Sequence, residues 1–329
     1  MVQTHALALL RPELRAGPLF DGLQRFDGLV APAFTFAAGF SIALVQVRGA
    51  RGGARGRRVR RTARRIGELL FVACLVNWMW FPIFREPRYL LRIDILGCIG
   101  LSLAVALPVL ALLAPFPRAI PPLVLVLAAA AFGAAPLAEP LRGPLSHFLN
   151  VASGSLFPLL PWAGYVWLGA SAGSLAAFAS RRALVFWLCG LAAAGLAVHR
   201  ASGLWQELYP PHAFWITDPT NHGDRWAIVC LLVVALLGLE AVASPRLLRS
   251  GAVRFIELFG TSSLAAYFFH EALLFHGIEG VYLARWFQDR CGWPLYWTLA
   301  LALIAATFVL SALADRAYRL YDRLVSRSG

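Results

Sequence analysis

Two histidines and a few carboxylates interrupt the apolar stretches of this chain, and through them it could do chemistry. His5 lies in "MVQTHALALL", and His270 and Glu271 sit side by side in "SSLAAYFFHEALLFHG", residues 262–277. An imidazole exchanges protons near neutral pH, so a histidine in an apolar setting can take the proton from an attacking hydroxyl or amine. A carboxylate beside it can orient the ring. Ser263, Tyr267 and His270 are spaced four and three apart, which puts them on one face of a helix. Asp27, Asn77 and Asp94 fall near the ends of other apolar stretches. A second reading of His270 is structural: a buried neutral ring tied to Glu271 or to a neighbouring helix.

The elements that must position these groups are membrane helices. The chain has 329 residues, is 59% hydrophobic and 14% charged, and soluble domains of that length are not so apolar. Apolar windows of bilayer-crossing length recur along it. Backbone groups in lipid need internal partners, and the alternating pattern of a membrane barrel is absent, so the expected fold is an all-α polytopic bundle forming a single domain over 1–329. The expected spans are 1–10, 28–47, 66–83, 93–114, 119–136, 156–178, 183–199, 226–243, 255–277 and 294–314, about ten transmembrane helices. The first covers only about half a bilayer, and it reads either as a half-helix or, the favoured reading, as the end of an N-terminally truncated span.

Net charge is +13 and every one of the thirty basic residues is arginine. The arginines lie between apolar spans, which points to topology and membrane lipids and not to nucleic acid. Residues 48–65 carry nine Arg and no acid, so the positive-inside rule makes this segment cytoplasmic. Alternating from there leaves nineteen Arg inside and eleven outside, with the C-terminus cytoplasmic. His5, Asp27, Asn77, Asp94, His270 and Glu271 then fall at similar depth in the outer halves of five spans, where they are expected to line one polar cavity. The outer loop 200–225, with its aromatics, two Pro and two His, reads as an interfacial belt or as a cover for an external substrate. Four of the five cysteines sit inside apolar spans, and no metal-ligand spacing or disulfide framework is visible, so nothing here requires a metal. No cleavable signal-peptide pattern is present.

Five motifs carry a family resemblance. "MVQTHA" resembles the end of a first span of the form L-M-V-x-x-H. "DGLVAPAFTFAAGFSIAL" at 27–44, "RIDILGCIGLSL" at 92–103, "SLFPLLPWAGYVWLGASAG" at 155–173 and "GTSSLAAYFFHEALLF" at 260–275 follow in order. Together they resemble the bacterial relatives of heparan-alpha-glucosaminide N-acetyltransferase, within the wider acyltransferase-3-like superfamily. The resemblance implies acyl transfer from cytoplasmic acetyl-CoA or another acyl-CoA to a hydroxyl or amine of an extracytoplasmic glycan or glycolipid, in a bacterial inner membrane. It implies His5 as base or transient acyl carrier, with Asp27 orienting it or holding the acceptor. His270 would bond the acceptor or the developing oxyanion. Asn77, Asp94, Tyr267 and Glu271 would line the acceptor site, and Arg64 and Arg65 would reach the donor's phosphates. The family's Arg-Gly and Asp upstream of the first-span His are missing here. So is the His that eukaryotic members carry about ten residues before the Asp of the second span, a place held by Arg15, Ala16, Gly17 or Pro18. A transporter or flippase, or a non-catalytic component of envelope-glycan assembly, would also want buried ionisable groups. The oligomeric state, a homo-oligomer included, is not readable.

Overall fold

The computed structural model describes residues 1–49, 55–80, 92–152, 154–276 and 281–325. Residues 50–54 of the arginine-rich segment, 81–83 of the expected third span, 84–91 of the loop after it and 278–280 of the loop before the last span lie outside them. The chain is all-α: among the described residues no strand forms, and a single isolated bridge joins Leu10 to Cys291.

The helices, in order, are α1 (Val2–Ala6), α2 (Pro18–Asp27), α3 (Val30–Arg48), α4 (Arg55–Trp80), α5 (Ile95–Leu113), α6 (Ile120–Ala138), α7 (Ser146–Leu149) and α8 (Leu159–Ala176). They continue with α9 (Arg181–Arg200), α10 (Ser202–Leu208), α11 (Pro219–Val242), α12 (Pro245–Leu248), α13 (Gly251–Thr261), α14 (Ser263–Glu271), α15 (Leu283–Phe287) and α16 (Trp293–Val325).

Among the described residues, six runs are long and apolar enough to cross a membrane: Pro18–Arg48, Ile95–Leu113, Ile120–Ala138, Arg181–Arg200, Pro219–Val242 and Trp293–Leu320. Each corresponds to one of the ten expected spans. The other four differ for separate reasons. α1 has five residues and passes into a 3-10 turn at Leu7–Leu9, after which Leu10 is extended. α4 opens with the arginine run, so its described apolar part is short. α8 is rich in Gly, Ser and Trp, and it is buried over most of its length, so it has little need of an apolar lipid face. The expected span 255–277 is broken. Gly260, Thr261, Ser262 and Ser263 are weak helix formers, Thr261 bonds back to the Glu257 carbonyl at 2.9 Å, and Ser262 leaves the helix at φ −106°. α14 then runs to Glu271 and widens into a π turn at Ala272–His276.

The residues group into two compact units, Gly28–Glu240 and Met1–Asp27 with Ala241–Gly329. In the first, α8 packs between α3 and α6. Gly169 and Gly173 lie one turn apart on α8, and a Cβ at either would fall on the backbone carbonyl of Phe36 or Phe40 in α3. That small-xxx-small spacing lets two helix backbones approach closely where lipid supplies no hydrophobic drive. In the second unit α1 and α14 both pack on α16. Ala6, Leu9, Leu10, Leu274, Cys291, Tyr296, Ala300 and Leu303 form its apolar core.

Candidate functional site

The site is built in the second unit, and the start of the chain is pinned there first. Cys291 N–H donates to the Leu9 carbonyl at 2.9 Å and Arg11 N–H to the Cys291 carbonyl at 3.0 Å. Arg15 ties the same stretch, donating to the carbonyls of Ala8 (3.1 Å) and Leu10 (2.7 Å) and pairing with Asp289. Leu9 and Leu10 are fully buried. One turn earlier, α1 points its polar residues at named partners. Gln3 donates to the Tyr296 hydroxyl at 2.9 Å, and Thr4 donates to Asp27 Oδ1 at 2.9 Å.

His5 meets α14. Its Nδ1 lies 3.0 Å from His270 Nε2 and is paired with Glu271 Oε1, and His270 Nε2 is 3.3 Å from the same oxygen. The protons can be placed from the partners. His270 Nδ1 is 2.8 Å from the Ala266 carbonyl, which only accepts, so that nitrogen carries the hydrogen. In the neutral ring, Nε2 then holds a lone pair. His5 Nδ1 therefore faces two acceptors, the carboxylate and the His270 lone pair, and must itself carry a hydrogen. The lone pair of a neutral His5 is left on Nε2, which makes no hydrogen bond among the described residues. His270 is 0% exposed and Glu271 1%, whereas the His5 side chain is 31% exposed. Tyr267 closes the side of the cluster, its ring edge-on to His270 at 5.3 Å and to His5 at 6.3 Å. Of the expected face Ser263, Tyr267 and His270, the last two thus meet at the cluster.

Asp27 ends α2 at 8% exposure, and its Oδ2 is buried without a hydrogen-bond partner among the described residues. It bonds Thr4 and not His5, so the carboxylate orienting the base candidate is Glu271, which the sequence reading had placed on the acceptor. His270, expected on the acceptor or the oxyanion, has both ring nitrogens engaged inside the protein. Asn77 and Asp94 belong to the other unit and make bonds that fix local backbone there. Asn77 donates to the Arg92 carbonyl at 2.7 Å, and Asp94 caps α5 by accepting from Gly97 N–H at 2.6 Å. Arg64 pairs with Glu68 one turn on at 2.9 Å, and Arg64 and Arg65 are exposed on α4. The sequence reading missed Gln3, Thr4 and Tyr296. Two polar residues directly before His5 in an apolar stretch were the available signal; Tyr296 gave none.

A second polar cluster lies in the loop 209–218. His212 Nδ1 is 2.7 Å from the Pro210 carbonyl and its Nε2 2.9 Å from Asp218 Oδ2. Both partners are acceptors, and Glu139 sits close by, accepting from Ala213 N–H at 2.9 Å and from the Thr217 hydroxyl. Burial disfavours the charged ring, but the bonds to Pro210 and Asp218 and the charges of Asp218 and Glu139 outweigh it and raise the His212 pKa. His222, by contrast, presents Nε2 to the Ile216 carbonyl at 2.9 Å and accepts at Nδ1 from the Tyr165 hydroxyl at 2.8 Å, which a neutral ring satisfies.

Fold and site together define a polytopic helical membrane protein with a His–His–Glu cluster, of which His270 and Glu271 are buried and His5 is partly exposed. The chain belongs to the family described as heparan-alpha-glucosaminide N-acetyltransferase, catalytic, whose sequence model matches residues 1–200. Comparison with curated proteins and with solved structures finds no match. The matched stretch contains His5 and Asp27, while His270 and Glu271 lie beyond it. Membership implies an acetyltransferase that works in a membrane.

Proposed function

We propose that the protein transfers an acetyl group from acetyl-CoA to a hydroxyl or amine of a glycan or glycolipid, with His5 as general base. The carrying observation is the orientation of His5 by Glu271. In this reading His5 Nε2 removes the proton as the acceptor oxygen or nitrogen attacks the thioester carbonyl, and CoA leaves as the thiolate. The Glu271 carboxylate, buried against Nδ1–H, fixes the tautomer and stabilises the imidazolium that forms. His270 holds His5 from behind, through a ring whose own tautomer is set by Ala266. Asp27, with a carboxylate oxygen in hand, is placed to hold the acceptor. The arginine distribution supports a cytoplasmic donor side and an acceptor on the opposite face.

Purified protein incubated with radiolabelled acetyl-CoA and an amino-sugar acceptor tests the reading. His5→Ala is expected to lower turnover by about 10²–10⁴-fold, the usual worth of a positioned base, with thermal unfolding measured alongside to confirm that the variant is folded at the assay temperature. Wild-type turnover in that variant would sink the assignment.

A further inference from the structure

We infer that His5, His270 and Glu271 also form a binding site for a borderline divalent cation of the zinc type, and that the cation and the catalytic tautomer of His5 exclude each other. The three residues offer one donor atom each, and the atoms lie within 4.8 Å of one another. Two imidazoles and a carboxylate are a donor set that zinc takes, at about 2.0–2.2 Å from each atom, with a fourth position left for water. Tetrahedral bonds of that length put donors roughly 3.3–3.6 Å apart. His270 Nε2 and Glu271 Oε1 are already 3.3 Å apart, and both are carried by α14. The 3.0 Å between His270 Nε2 and His5 Nδ1 needs only a few tenths of an ångström more, whereas His5 Nδ1, in direct contact with Glu271 Oε1, must draw back further from that oxygen to admit the cation. His5 is the donor able to give, being partly exposed and carried by a five-residue helix.

The shell behind the donors fits as well. A metal-binding histidine characteristically donates its other N–H to a carbonyl or carboxylate, which fixes the tautomer and aims the lone pair. His270 does this with Ala266, and the lone pair it presents is on Nε2, facing His5 and Glu271. Asp27 adds negative charge beside the site through Thr4, the residue before His5, and its buried Oδ2 has no hydrogen-bond partner among the described residues.

Binding has a definite proton consequence. The cation takes the His5 Nδ1 lone pair, so the hydrogen now on Nδ1 moves through solvent to Nε2 and the ring stays neutral. Nε2 is then a donor and cannot accept a proton from an attacking group. This inhibitory consequence, unlike the site itself, rests on the reading of His5 as base.

The test uses the full chain, untagged, titrated with Co²⁺ and followed by its visible absorption. One equivalent is expected to bind with the intense bands of a tetrahedral site, and Zn²⁺ to displace it. His270→Gln and Glu271→Gln should each abolish the bands. His5→Ala, which leaves His270 and Glu271 in place, should weaken binding by at least about 10-fold, with thermal unfolding confirming that the variant is folded. The exposed Cys74 and Cys189 are the competing ligands, and Cys74→Ser with Cys189→Ser should change nothing. Absence of the bands, bands unaltered in Glu271→Gln, or bands lost in the double cysteine variant would each overturn the site. Acetyl transfer should stop when the cation binds and return with a chelator. A cation bound at these residues with transfer undiminished would leave the site standing and overturn His5 as the base.

Discussion

Two carboxylates serve this site, and their surroundings give them different work. Glu271 is buried against His5 Nδ1, in the position of the orienting acid of a nucleophile–base–acid arrangement. Asp27 uses one oxygen on the Thr4 hydroxyl and keeps the other buried without a hydrogen bond among the described residues. Conservative amides separate the two roles. Glu271→Gln keeps the shape but allows the wrong His5 tautomer, since an amide N–H can then face Nδ1. It is expected to lower kcat by about 10²-fold or more. Asp27→Asn leaves His5 and Glu271 untouched and is expected to raise the KM for the acceptor while kcat holds. Steady-state kinetics over both substrates read the difference. An Asp27→Asn variant that loses kcat as fully as Glu271→Gln would return the orienting role to Asp27.

At the scale of elements, the sequence made the six strongly apolar spans legible, because length and hydropathy are all that lipid requires of them. Where other helices replace lipid the expected helix still forms, as α8 within 156–178 shows, but hydropathy says less about what holds it. α8 is held by close backbone contact and not by apolar bulk, so its glycines carry the information. On exposed helix positions Gly→Ala is stabilising by roughly 0.5–1 kcal/mol through backbone entropy. Gly190 on α9 has open space around it and should behave so. Gly169→Ala should do the opposite and destabilise by about 1–3 kcal/mol, because its methyl would meet the Phe36 carbonyl, which cannot turn aside as a side chain can. Thermal unfolding in detergent compares the two, and equal shifts would remove the close-packing account of α8. The candidate site was half legible for a related reason. His5, Asp27, His270 and Glu271 stand out singly as ionisable groups in apolar sequence, but which carboxylate meets which ring depends on the break at Ser262 and on the pairing of Leu9 and Leu10 with the 290–291 segment. Neither leaves a periodic mark. The donor triad for a cation was invisible because 265 residues separate His5 from His270.

At the scale of the whole molecule, the loop 209–218 links unfolding to pH. Among the described residues, both ring nitrogens of His212 face acceptors, so only the imidazolium satisfies Pro210 and Asp218 at once. Its pKa is raised in the folded state despite burial, and in the unfolded chain it returns to about 6.5. A raised pKa means that the folded state binds the proton more tightly. The stabilisation is therefore complete below about pH 6.5 and is lost as pH rises through the folded value. The loop belongs to the Gly28–Glu240 unit, and Glu139 on the end of α6 shares the charge, so the effect is felt by the unit that holds α3, α6 and α8. The melting temperature of the wild type, measured in detergent between pH 5.5 and 8.5, should fall relative to that of His212→Gln as pH increases. Other titrating groups act on both proteins and cancel in the difference. A difference that is flat with pH would show that His212 has the same pKa in the folded loop as in the unfolded chain, so that its two acceptors add nothing. One that grows with pH would mean that its folded pKa lies below the unfolded value, with burial outweighing the two acceptors.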